Sequence, residues 1–243
     1  MCGRYVTPEM HRAERDFLVQ RRRWREYEQS YNVAPADRVP VIRVVAGERE
    51  GLLMRWGLIP YFAGGIAPKY STINAPVEKL ETASAWRGPW GRGQRCILPA
   101  LGFYDWHLLP GRAGRPYYIT CIDQPLFAFA GLWDRSRADD GTQIVSCAIV
   151  TLRANERMRD LHNGGTNPFR MPAILTPTDV EVWLSATPAR ARAALRQYPS
   201  NAMVAHPVSP RVNSPENNDA DLLAPSGDFP TIGVGAAVRS SSK

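Results

Sequence analysis

Six short segments rich in β-branched and aromatic residues set the strongest limit on the fold: VIRVV (41–45), LLMRWGLI (52–59), RCILPALGFYDWHL (95–108), PYYITCI (116–122), LFAFAGLW (126–133) and IVSCAIVTL (144–152). Each is bounded by Gly, Pro or Asp, and their spacing is that of strands in antiparallel sheets. Residues 8–28 carry few breakers and many helix formers, so a helix is expected there, with Arg21, Arg22, Arg23 and Arg25 on a solvated face. Helical patterns recur at 177–184, after the N-cap residue type Thr176, and at 188–197. Strands in runs with helices at the flanks predict an α+β fold around one core. No internal repeat is visible. From residue 226 the chain (SGDFPTIGVGAAVRSSSK) is small and polar, which predicts a single domain over 1–225 and a disordered tail over 226–243.

The first residues, MCGRYV, pose a chemical question. A side chain as small as that of Cys2 lets the initiator methionine be trimmed, leaving a free amine and a free thiol on one residue. An α-amine titrates at roughly 7.7–8.0, so a useful fraction is neutral near pH 7. A neutral amine attacks an aldehyde to give an imine, and the adjacent thiol closes on the imine carbon as a five-membered thiazolidine. Because both groups share one residue, the second step is intramolecular and has a high effective molarity. It needs no metal or nucleotide, and no cofactor is expected. A structural cysteine near a terminus is the alternative reading of Cys2 alone.

Composition narrows the partners. Of the 30 basic residues only Lys69, Lys79 and Lys243 are lysine, and the formal net charge is +7. A GC-rich genome would itself favour arginine codons, but the surplus of positive charge points to nucleic acid, for which forked guanidinium groups are suited. Cys2, Cys96, Cys121 and Cys147 are widely spaced with no C-x-x-C pair, against a zinc site or disulfide framework. No run of eighteen apolar residues suggests a membrane span, and charges at Arg4, Glu9 and Arg12 interrupt any secretory signal. The expectation is a soluble, cytoplasmic, monomeric protein.

MCGRY, YNVAP (31–35), MRWGLIP (54–60), NAPVE (74–78), RCILPALGFYDW (95–106), AGLW (130–133), VTLRAN (150–155), RMPAIL (170–175) and HPVSPRVNSPENNDADLLAP (206–225) occur in one order. Together they resemble the SRAP family, the SOS response-associated peptidases understood as abasic-site processing proteins. The resemblance runs from residue 2 to about 225. It implies a compact α+β domain with antiparallel sheets in a barrel-like core. It also implies binding of single-stranded DNA with an abasic site, whose ring-opened sugar is an aldehyde, and a thiazolidine crosslink through Cys2. Association with the nucleoid during DNA damage would follow. Carried over by position, Cys2 is the nucleophile, Asn74 bonds the sugar or the Cys2 amine, Asp105 shuttles protons and His162 stabilises the sugar oxygen. Arg4, Thr151 and Arg170 would line the phosphate path, and Phe62 would offer an aromatic face to a base. Plainer roles stand beside these: an Asx-turn for Asn74, a structural hydrogen bond for Asp105, and core packing for Phe62.

Three departures from the family pattern bear on the site. Asp105 stands where relatives have glutamate; a reach shortened by about 1 Å can cost ~10²-fold in rate. Pro76 replaces an arginine of the N-A-R word. Residues 163–169 (NGGTNPF) intervene between His162 and Arg170, either bulging out as a loop or displacing the histidine. Competing functions are a cysteine peptidase that removes its own leader, a binding-only paralogue, and a class II glutamine amidotransferase, which also begins Met-Cys-Gly but whose later motif words are missing here. A lyase activity that cleaves the DNA strand is a further possibility left open by the sequence.

Overall fold

The computed structural model describes residues 3–25, 27–111 and 113–227. In chain order its elements are β1 (Arg4–Val6), α1 (Met10–Asp16), β2 (Arg21–Arg23), β3 (Arg38–Val45), β4 (Glu48–Trp56), β5 (Asn74–Pro76), α2 (Ser84–Gly91), β6 (Arg95–Ala100), β7 (Gly102–His107), β8 (Arg115–Cys121), β9 (Phe127–Arg137), β10 (Gln143–Arg153), α3 (Glu156–Leu161), β11 (Arg170–Pro172), β12 (Ile174–Leu175), α4 (Pro177–Ser185), α5 (Pro188–Ala193) and β13 (Met203–Pro207). All six segments marked by composition form strands.

Five strands close on themselves in the order β10-β4-β3-β6-β9 and back to β10, giving a barrel that removes its own free edges. The β3–β4 hairpin turns on Ala46 and Gly47, both at positive φ (52° and 81°), the two-residue geometry that matches strand twist. Four of the five pairings around the ring are antiparallel; the closing β4–β10 contact is parallel, as are β5–β10 and β2–β4. A second antiparallel sheet, β1-β7-β8-β13, leaves the barrel where β6 passes through Leu101 into β7. The fold is thus α+β, a single domain with a barrel-like core and helices at its flanks.

Aromatic packing joins the two sheets. The Tyr5 ring of β1 is fully buried and meets Trp56 (5.3 Å between centroids) and Phe129 (5.7 Å) edge-on in the barrel interior. Phe103, on the strand paired with β1, reaches the same Phe129 at 5.8 Å. These contacts pin the start of the chain against the core.

One expectation is corrected. The helix expected over 8–28 ends at Asp16, and residues 21–23 become a strand beside β4. Tertiary pairing overrides helix propensity here. Trp24 lies on Gly51 so closely that a Cβ there would sit 2.6 Å from the indole, and its Nε1 donates to Glu14 at 2.8 Å. Arg23 comes within 3.3 Å of Glu50, whose buried carboxylate is held by Arg43 at 2.7 Å. Arg21, Arg22 and Arg23 keep solvated faces as expected. At the other end Ser226 still donates to the Pro207 carbonyl at 2.9 Å, so attachment continues to that residue. The rest of the expected tail, 228–243, lies outside the described residues. Among the described residues no helix is long and apolar enough to cross a membrane.

Candidate active site and nucleic-acid interface

Strand β7 places Asp105 next to the residue that faces Arg4, since Arg4 pairs with Tyr104. Asp105 is buried. Its Oδ1 accepts the Trp106 backbone N–H at 2.8 Å and lies 2.8 Å from His162 Nδ1. Oδ2 is also buried and has no hydrogen-bond partner among the described residues. Such a carboxylate oxygen is costly to hide unless something else meets it. His162 is buried at the C-terminal end of α3, where its backbone N–H donates to the Met158 carbonyl at 2.8 Å. Its Nε2 lies 3.0 Å from the Asn167 carbonyl. A carbonyl only accepts, so Nε2 carries a proton, and the Nδ1–Oδ1 contact holds one further proton between two basic atoms.

The 163–169 segment bulges out and returns to His162. Phe169 N–H donates to the His162 carbonyl at 2.8 Å, and the Asn163 side chain bonds both the N–H (2.8 Å) and the carbonyl (2.9 Å) of Leu108. The shorter Asp105 side chain still reaches the histidine.

Asn74 is buried in β5, opposite Ile149 of β10, in a strand and not in an Asx-turn. It lines a cleft of about 740 Å³ together with Pro76, Lys79, Trp86 and residues 164–167. Thr151, fully buried on β10, faces Pro76 on one side and Pro172 of β11 on the other. Arg170 donates to its carbonyl at 2.8 Å and its Oγ1 at 3.3 Å. The same guanidinium forks onto Glu78 at 2.8 and 2.9 Å. That hydrogen bond holds the Glu78 carboxyl below its usual range.

Arg4 is tied to Asn32 Oδ1 (3.1 Å) and the Asn213 carbonyl (3.2 Å), and partial burial pushes its guanidinium pKa down against the opposing pull of Asp37. Asn32 is a residue that sequence reasoning passed over. Its Nδ2 faces the carbonyls of Val212 (3.2 Å), Ser214 (2.9 Å) and Asn217 (2.9 Å), fastening residues 212–217 across β1. Asn213 in turn accepts the Trp106 indole N–H at 2.8 Å. The motif words YNVAP and VNSPENN already contained this contact; neither word singled out the side chain.

Phe62 is 55% exposed, so the core-packing alternative is set aside. Its ring stands edge-on to Tyr61 at 5.4 Å, and Arg92 lies 4.9 Å over the Tyr61 ring. Of the candidate residues, the structure brings Asp105 and His162 into contact, and likewise Thr151 and Arg170. Asn74 sits on the strand beside Thr151, and Phe62 lies on a separate turn. Cys2 lies outside the described residues. Cys96, Cys121 and Cys147 are buried, and desolvation raises all three thiols, Cys121 to about 12. Such thiols are poor nucleophiles.

The family model described as "SOS response associated peptidase (SRAP)" matches residues 1–215. The chain belongs to that family. An SRAP relative from Bacillus subtilis, abasic site processing protein YoqW, is 38% identical over 202 residues, covering 82% of this chain and 87% of the relative. The rat abasic site processing protein HMCES is 27% identical over 274 residues, covering 93% of this chain and 76% of the relative. A crystal structure of a Bacteroides thetaiotaomicron protein superposes with a TM-score of 0.82 at 25% identity, covering 93% of this chain and all (100%) of that one. A Bordetella bronchiseptica protein gives 0.74 at 29% identity over 86% of this chain and 100% of that protein.

Proposed function

We propose that this SRAP protein captures abasic sites in single-stranded DNA by a covalent bond through Cys2, exposed by loss of Met1. The neutral α-amine adds to the aldehyde carbon of the ring-opened sugar, and one water leaves to give the imine. The Cys2 sulfur then adds to the same carbon while its proton passes to nitrogen, closing the thiazolidine. One water is released overall and no oxidant, metal or nucleotide is consumed.

The observation that carries this reading is the buried Asp105–His162 contact of 2.8 Å, one residue along β7 from the partner of Arg4. Cys2 precedes Arg4 by two residues in the sequence. A pair that holds a proton between two basic atoms supplies what the imine step needs: a donor for the departing hydroxyl and an acceptor for the amine proton. The exclusion of Cys96, Cys121 and Cys147 as nucleophiles supports Cys2 by default. Asn74 would orient the sugar from the cleft wall, with Arg4, Thr151 and Arg170 along the phosphate path and Phe62 against a base.

The test is a single-stranded oligonucleotide with an abasic site, incubated with the protein and run on a denaturing gel. A heat-stable shifted band is expected, lost in Cys2→Ala while noncovalent affinity is largely kept. A crosslink by Cys2→Ala would overturn the assignment. The binding-only reading, motivated by Asp105 and Pro76, requires that the wild-type shift vanish on denaturation.

A further inference from the structure

The 163–169 loop has two ends in different surroundings. Residues 164–167 face the cleft beside Asn74, whereas Pro168 and Phe169 line a separate pocket of about 430 Å³ with Arg153, Ala154, Arg159 and Arg170. Phe169 is unusual in two respects. Its backbone is in the left-handed region (φ 59°), which disfavours a bulky residue, and its side chain is 48% exposed. Strain of this kind persists where surrounding structure imposes it and clusters at binding sites. The surrounding structure does impose it: besides the bond to His162, the Phe169 carbonyl accepts the Ala154 N–H at 2.8 Å. The ring is held outward by a fixed backbone, with little burial gained in return.

Cations flank that ring. Arg153, at the end of β10, and Arg159, on α3, are both exposed, and neither has an ion pair among the described residues. Arg170 is engaged by Glu78, whose carboxylate Arg153 also draws on without forming an ion pair, and Arg153 and Arg159 remain to meet an anion in the pocket. No side-chain amide or carboxylate is among its lining residues, so the only groups able to read a base edge are the guanidinium groups, which are assigned here to phosphate.

We propose that this pocket is a nucleotide subsite, in which Phe169 stacks on one base flanking the lesion while Arg153 and Arg159 hold its phosphates. The proposal rests on the abasic-site reading and extends it to a neighbouring nucleotide. A flat aromatic face between forked cations suits a base with its phosphate, and stacking without edge readout tolerates any base, with larger purines held more tightly.

The experiment uses single-stranded oligonucleotides with a tetrahydrofuran abasic analogue, which lacks the aldehyde and cannot crosslink. Affinity is read by fluorescence anisotropy for strands with ordinary flanking bases and for strands whose flanking nucleotides are also base-free. Wild type is expected to favour the strands with bases by about ten-fold, from one stacked base. Phe169→Gly relieves the left-handed strain, so its Tm should not fall, yet the part of the preference due to Phe169 should be lost; Phe169→Trp should keep it. Arg153→Ala should weaken both strands alike and lower the salt slope. No wild-type preference, or an intact preference in Phe169→Gly, overturns the subsite. Failure of the wild type to crosslink a true abasic site overturns the underlying reading instead, and the two results are separately visible.

Discussion

Asp105 and His162, 57 positions apart in sequence, meet through Oδ1 and Nδ1 at 2.8 Å, and both are buried. The contact couples the second sheet, where Asp105 sits in β7, to the end of α3, and it survives the seven-residue segment that follows the histidine. Asn167 closes the other ring nitrogen from that same segment, so the loop fixes the ring orientation as well as the cleft wall.

Asp105→Asn preserves the shape of the contact and removes a basic oxygen. Single-turnover crosslinking should slow by about 10²-fold, the lower end of what a positioned acid–base group contributes, with noncovalent DNA affinity unchanged. An unaltered rate would remove Asp105 from proton transfer.

On the proposed function, the Glu78 carboxylate paired with Arg170 competes with phosphate for that guanidinium. Glu78→Gln should raise affinity for single-stranded DNA and steepen the dependence of log affinity on log salt by about 0.7, the value of one added phosphate contact. Acid should mimic the variant by protonating Glu78, but only below the ordinary carboxylate range, because Arg170 holds that carboxyl down. Equal slopes for wild type and variant would show that Arg170 does not meet the strand.

Asn32 fastens the 212–217 segment over β1 through one amide group. Asn32→Ala should cost about 2 kcal/mol or more in urea unfolding, since carbonyls and the Arg4 guanidinium lose a partner together. Arg4→Ala should loosen the same fastening through β1 and, with Arg4 on the proposed phosphate path, weaken DNA binding and flatten its salt dependence. An unaltered salt slope would count against that contact.

Three buried thiols make stability fall in alkali. Burial raises Cys96, Cys121 and Cys147 in the folded state, so between the unfolded thiol value of about 8.5 and the folded values the unfolded chain has lost protons that the native one keeps. Their stabilisation is complete below pH ~8.5 and declines as pH rises toward 12. Urea midpoints measured from pH 7 to 10 should fall above 8.5, and less so in Cys121→Ala. A flat profile would contradict the burial.

Much of the barrel was legible because each strand carried its own β-branched or aromatic signal. Residues 21–23 misled, since helix formers there became a strand held by Trp24, Gly51 and Glu50, contacts that no local pattern reports. The short strands β5, β11 and β13 lack a periodic signal for a related reason: they exist by pairing with long neighbours. At the site, motif words located Asp105, His162 and Thr151, but not which groups they meet. That Arg170 is answered by Glu78, and that Asn167 returns to His162, depends on loop closure and could not be read from spacing.

The most direct measurement is peptide mapping by mass spectrometry of the protein after reaction with an abasic oligonucleotide. The account predicts DNA on the N-terminal peptide, beginning at Cys2 without Met1, with a mass equal to peptide plus sugar strand less one water. Attachment to any other residue, or reacted chains that retain Met1, would contradict it.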